Sequence, residues 1–149
     1  MAVRVPLVAC WPGTIKPGTT CDVPYYFPDF MATACELVRS DVPRVTDGLS
    51  LLPALRGEKP LTHAAMYWEF PGYGGQQAVR EGNWKAVRQA LGKGVVKTEL
   101  YDLSKDEGEA TDVAAANPAV VARLESLMKQ HHTLNQTFPL QTIDPPAKK

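Results

Sequence analysis

Between residues 65 and 103 the chain carries four short runs of strand character joined by short links, and this arrangement limits what it can fold into. Residues 65–70 are rich in aromatics. Residues 76–80 and 84–88 flank Glu81-Gly82-Asn83, a short Gly-containing connection of the kind that closes a β-hairpin. Residues 97–103 supply the fourth run. Sequential strands with short links pair antiparallel, because a parallel crossover needs a far longer connection. Asn117-Pro118 then opens a helix, with Asn at the N-cap and Pro at the first helical position. Val120, Val121, Leu124, Leu127 and Met128 recur at helical spacing, and that stripe is enough to cover one face of a small sheet. Proline makes up 13 of the 149 residues, well above the usual level of about 5%, so the chain is turn-rich and not a helical bundle.

The first part of the chain reads differently. Residues 3–11 form an apolar run of strand length ended by Pro12-Gly13, the pattern of a strand buried on both faces, yet nothing precedes it to do the covering. Residues 15–24 read as a loop that turns at Lys16-Pro17-Gly18. Residues 30–38 read as a helix, with Asp29 as its N-cap and Phe30, Ala34, Leu37 and Val38 at helical spacing. Residues 50–55 suit one or two helical turns stopped by Gly57, and the charged, Pro60-containing stretch 58–63 is the natural boundary. Three prolines between 136 and 149 predict an extended or disordered end. The fold class expected is α/β (α+β), organised as 1–58, 59–133 and a tail over 134–149.

Composition excludes some functions. Sixteen basic residues balance sixteen acidic ones, which argues against a protein held on nucleic acid by a general basic field. Arg80, Lys85 and Arg88 make a short basic edge that reads as a solvated face. No stretch approaches the ~20 apolar residues that cross a bilayer. Leu7-Val8-Ala9-Cys10 looks like a lipobox, but only Val5 to Ala9 lie between Arg4 and Cys10, and Pro6 interrupts them, so no export signal is expected. Cys10, Cys21 and Cys35 are odd in number and wrongly spaced for a zinc knuckle, and they read as buried free thiols.

The motifs that could carry chemistry are few. His131 and His132 are adjacent and, on a helix, point about 100° apart, so they read as structural or surface residues at a helix C-terminus. Asp102-Leu-Ser104-Lys-Asp106-Glu-Gly108 starts like a calcium loop but has Glu107 where the glycine belongs and Val113 at its twelfth position. Gly72-Tyr73-Gly74-Gly75 lacks the Gly-Lys-Ser/Thr ending of a phosphate loop. It is either an aromatic-flanked loop at a site edge or a wide turn. No serine sits in a nucleophile elbow.

An ordered set of short segments resembles one family. Arg4-Val5-Pro6 followed by Trp11-Pro12-Gly13 resembles the R-V-P…W-P-G segment of sulfatases, within the alkaline-phosphatase superfamily. Asp47-Gly48-Leu49-Ser50-Leu51-Leu52-Pro53 is similar to the D-G-x-S-L-x-P segment that follows it there. Tyr67-Trp68-Glu69-Phe70, Gln77-Ala78-Val79-Arg80 and Trp84-Lys85 resemble the family's small C-terminal sheet. Glu99-Leu100-Tyr101-Asp102-Leu103 with Asp106 and Glu109 resembles its E-L-Y-D-L-x-x-D-P-x-E motif, with Glu107 in place of the proline.

The resemblance implies a sulfuric ester hydrolase, arylsulfatase-like, of which this chain corresponds to the C-terminal third. On that basis 1–58 would be a remnant of the catalytic domain, its strand and helix, and 59–133 the C-terminal subdomain. The family hydrolyses sulfate esters with a formylglycine made in a C-x-P-S-R-type motif and with a calcium ion held by Asp and Asn or His. Cys10-Trp11-Pro12-Gly13-Thr14 echoes C-x-P but lacks the Ser and Arg, so no family catalytic residue carries over and the chain supplies neither cofactor. The expectation is a part inactive by itself. The alternative is a binding or assembly module that complements a separate catalytic half, the possible partner, or shapes a sulfated-sugar site. Tyr73, Gln76 and Gln77 at the head of the sheet, and Glu69, are the substrate-side candidates; the competing reading makes them turn and hairpin residues only. No nucleic-acid or membrane partner is expected, and localisation is open, although the family is commonly exported.

Overall fold

The structure is a computed structural model that describes residues 5–94, 96–140 and 142–145. The described chain divides into two compact units, one ending at His63 and the other beginning at Ala64. Among the described residues no helix is long and apolar enough to cross a membrane.

In the first unit the apolar run forms no strand over residues 5–11, and Val5 and Val8 are 82% and 92% exposed. A strand exists only by pairing its backbone, and no neighbouring strand is available to this segment among the described residues of the unit. Val3 and Arg4 lie outside the described residues. The Pro12-Gly13 turn does form, closed by the Thr14 and Ile15 N–H groups on the Trp11 carbonyl. Helix α1 spans Pro28–Leu37 and α2 spans Leu52–Leu55. Asp29 is not the N-cap expected of it: Pro28 takes the first helical position, so Phe27 stands at the cap and Asp29 falls in the first turn. The stripe read onto this helix is exposed at Phe30, Leu37 and Val38, while Ala32 and Thr33 are buried. Cys10 and Cys21 are exposed and Cys35 is half-buried, contrary to the reading of all three as buried thiols.

The second unit follows its sequence pattern closely. Strands β1 (Met66–Phe70), β2 (Gln76–Glu81), β3 (Trp84–Arg88) and β4 (Thr98–Asp102) form an antiparallel sheet in sequence order. The β2–β3 register pairs Glu81 with Trp84, leaving Gly82-Asn83 as a two-residue hairpin loop. Helix α3 spans Pro118–His131. The Asn117 side chain does not cap it but turns back, its Nδ2 donating to the Val113 carbonyl at 2.9 Å. Residues at alternate positions share a face. One face presents Val79, Ala86 and Leu100 to Leu124 and Met128, with Tyr67, Trp84, Val120, Val121 and Leu127 packed around them. The other carries Ala78, Val87 and Tyr101 with Trp68 and Leu103.

One expectation fails in this unit. The basic edge is not a solvated face: Lys85 is fully buried against Glu109 at 2.5 Å, and Arg88 is held by Glu125 at 2.9 Å. In the described part of the tail, Leu140 is 1% exposed and the Thr142 hydroxyl donates to the Leu91 carbonyl, while residues 141 and 146–149 lie outside the described residues.

Candidate functional site

The second unit brings one set of polar side chains together at one end of the sheet. Tyr67 and Glu69 share the α3 face of β1, with Gln77 on β2, Arg88 on β3 and Thr98 on β4 beside them. The Tyr67 hydroxyl donates to Glu69 Oε2 at 2.6 Å, and Gln77 Nε2 donates to the Tyr67 oxygen at 2.7 Å. Arg88 donates from Nη1 to Gln77 Oε1 at 3.1 Å, from Nε to Thr98 Oγ1 at 2.9 Å and from Nη2 to Glu125 Oε1 at 2.9 Å. The chain of bonds thus runs from Glu69 across all four strands to α3. Burial pushes the Tyr67 hydroxyl well above its ordinary range, and the neighbouring Glu69 carboxylate adds to this over the opposing Gln77 bond. The bond from Thr98 and the Arg88 guanidinium, against burial, hold Glu125 below the ordinary range.

The end of α3 closes this network. His132 Nδ1 lies 2.7 Å from Glu69 Oε2 and its Nε2 lies 2.6 Å from Asp144 Oδ1. His131 stacks on Tyr67 with ring centroids 6.1 Å apart. The two histidines therefore serve different neighbours, as adjacent helical positions must.

Beside Glu69 lies an open groove of about 510 Å³, lined by Glu69, Phe70, Pro71, Gly72, Asn135 and Phe138. The loop between β1 and β2 forms its rim. Tyr73 is 90% exposed with φ +49° and leans on Phe70, the centroids 5.8 Å apart. Gly74 and Gly75, both at φ +79°, let the loop turn back so that their carbonyls accept the N–H groups of Gly92 and Leu91. Of the expected substrate-side residues, Tyr73 is open to solvent, Gln76 and Glu69 are half-buried, and Gln77 is 1% exposed. Both amide ends of Gln77 are engaged below the surface, by the Tyr67 oxygen and by Arg88, so it positions those two side chains. His132, Asp144, Asn135 and Phe138 went unread as site residues, because the helix end and the tail carry no motif that says which strand they meet.

The first unit holds a separate polar cluster. The Asp29 carboxylate accepts the Tyr26 N–H at 3.1 Å through Oδ2, and the Leu49 N–H at 2.8 Å through Oδ1, where His63 Nε2 also lies at 2.8 Å. The Thr33 hydroxyl donates to the Asp29 carbonyl and accepts the Leu51 N–H at 2.9 Å. These bonds lay the Asp-Gly-Leu-Ser-Leu segment across the start of α1. Burial, with Asp47 and Asp29 nearby, pushes the Tyr26 hydroxyl up to about 12.

The comparisons with known proteins agree on the origin of this arrangement. A family model described as the C-terminal part of N-sulphoglucosamine sulphohydrolase matches residues 1–136. The chain belongs to the sulfatase family, in its C-terminal region. It is 33% identical to human arylsulfatase A over 152 aligned residues, covering 84% of this chain and 30% of that protein. A sulfatase of Formosa agariphila is 32% identical over 133 residues, covering 78% of this chain and 24% of the relative. The phosphonate monoester hydrolase of Silicibacter pomeroyi superposes with a TM-score of 0.62 at 27% identity, over 89% of this chain and 29% of its own. The chain thus spans under a third of the length of each of these relatives. Its antiparallel sheet with α3 is the sheet-and-helix part of the sulfatase C-terminal region.

The calcium used by sulfatases does not fit the side chains present. Glu69 and Asp144 stand on opposite ring nitrogens of His132, so the three groups do not converge on one ion. Among the described residues no other group of three or more His, Cys, Asp or Glu side chains is placed to hold one.

Proposed function

We propose that these 149 residues are the C-terminal part of a sulfuric ester hydrolase and do not hydrolyse sulfate esters by themselves. The observation that carries this is the match of a C-terminal family region to residues 1–136, in a chain whose Cys10-Trp11-Pro12-Gly13-Thr14 lacks the Ser and Arg of the nucleophile motif. Attack on sulfur needs an activated nucleophile and a cation to take up developing charge. The purified chain, given an aryl sulfate ester and calcium, is expected to turn over no more than a heat-killed control; turnover above that control overturns the reading.

A second role follows from the surface of the first unit. Val5, Leu7 and Val8 are exposed and have no strand partner among the described residues, and Phe27, Phe30, Met31 and Val38 are exposed along and beside α1. A backbone segment with unpaired N–H and C=O groups is a template for pairing with another strand. In this reading the first unit docks on a separately supplied catalytic part, and Tyr73, Gln76 and Glu69 face the substrate side. A pull-down with the catalytic part of a related sulfatase should recover the chain, and recovery of nothing counts against the docking role.

A further inference from the structure

His132 joins three distant parts of the second unit: the end of α3, Glu69 on β1 and Asp144 in the tail. Its side chain is 15% exposed and that of Asp144 is 3% exposed. A neutral imidazole has one N–H donor and one acceptor nitrogen, whereas an ionised carboxylate only accepts. Contacts of 2.7 and 2.6 Å to two carboxylates therefore call for two N–H groups, and only the imidazolium has them. Removal of its proton would turn one contact into a lone pair facing a lone pair in a place that water reaches poorly.

Asp144 is also the residue that folds the tail. Its second oxygen, Oδ2, accepts the Leu140 N–H at 2.6 Å, and the Leu140 side chain is 1% exposed. Between His132 and Leu140 the chain carries Asn135 and Phe138, which form one wall of the groove opposite Glu69, Phe70, Pro71 and Gly72. The Asn135 Oδ1 accepts the N–H groups of Thr137 and Phe138 and so fixes that wall as a turn.

We propose that His132 is a proton-operated latch: as imidazolium it clamps the tail to β1 and closes the wall of the groove, and as neutral imidazole it lets the tail go. The groups that bond it are Glu69 from β1 and Asp144 from the tail; Tyr67 of β1 meets it through Glu69, Lys129 and His131 stand in the last turn of the helix it follows, and Arg88 on β3 connects to it through Gln77 and Tyr67. Tyr67 donates to Glu69 and stays protonated, so it competes for Glu69 Oε2 without supplying the second proton. Burial disfavours the charged ring, but the bonds to Glu69 and Asp144 outweigh it and raise His132 above its ordinary 6.5. The sign follows: the clamp is complete below about pH 6.5 and is lost as the pH rises through the raised folded value.

The test uses the whole chain and reads two signals by NMR. The ring resonances of His132 should titrate above pH 6.5, and the protection factor of the Leu140 amide, corrected for intrinsic exchange, should fall at least tenfold between pH 6 and pH 9 along the same curve. Asp144→Asn is the discriminating variant. Its amide can donate to the neutral His132 Nε2 and still accept the Leu140 N–H, so it should keep Leu140 protected with no pH dependence. Asp144→Ala should leave Leu140 unprotected at both pH values, and His131→Gln should leave the transition in place. Titration of His132 at or below 6.5, a Leu140 protection factor constant within twofold, or an unaltered pH fall in Asp144→Asn would each overturn the latch.

Discussion

At the residue scale, Gly48 shows how a short motif can be a packing requirement. A Cβ placed on it would stand 2.1 Å from the Pro28 carbonyl oxygen and 2.5 Å from its carbon, both backbone atoms that cannot swing away. The Asp47-Gly48 step lets the segment pass flat against the start of α1, where Asp29 takes the Leu49 N–H and Thr33 takes the Leu51 N–H. Gly48→Ala should lower the stability of the first unit by about 3 kcal/mol, read as a lower urea midpoint; an unchanged midpoint would show that the segment can shift at no cost. The glycine was legible in the sequence as part of a resemblance, but its reason was not. Asp29 shows the same limit. An acidic residue ahead of an apolar run reads as a cap, yet Pro28 starts the helix one residue earlier and turns Asp29 inward, where it binds groups from three places in the chain. Gln77, expected on the substrate side, is 1% exposed and links Tyr67 to Arg88.

At the element scale, the second unit was the readable part. Four strand runs joined by short links, a Gly-containing hairpin connection and an Asn-Pro helix start all depend on neighbours within a few positions, and each has its element in the structure, with Glu81 paired into β2 and the Asn117 side chain turned away from the cap. Leu124 and Met128 are completely buried on α3 against Val79, Ala86 and Leu100. Leu124→Ala should cost about 3 kcal/mol, measured by chemical denaturation of the whole chain; a loss below about 1 kcal/mol would mean that α3 can collapse onto the vacated space. Residues 5–11 are the counterexample. Their pattern is that of a strand, but a strand is a relation between two segments, and its partner is not encoded in its own pattern. The same holds for the exposed Phe30, Leu37 and Val38: helical spacing says which residues share a face, not what covers it.

At the scale of the whole molecule, the two units differ in how much apolar surface they leave in water. The second encloses a core between sheet and helix. The first exposes Val5, Val8, Phe27, Phe30, Val38 and Val45, each more than half accessible, and the chain has no net charge to oppose association. A shortened chain beginning at Lys59 should therefore remain in solution at higher concentration than the full chain, as measured by the soluble fraction after ultracentrifugation; lower solubility of the shortened chain would contradict this.

The sequence by itself determined the sheet, its hairpin, the covering helix and the family, because each of these is written in neighbouring residues or in an ordered series of short motifs. The tertiary structure alone decided which polar groups meet. His132 and Glu69 lie 63 positions apart and His63 and Asp29 lie 34 apart. No local periodicity relates residues at such separations. They come together only after the strands have set their register and the helix has run its length, and at that point the need to pair every buried donor and acceptor selects the partners. The docking of the tail, the burial of Gln77 and the placement of His132 between two carboxylates all follow from that selection.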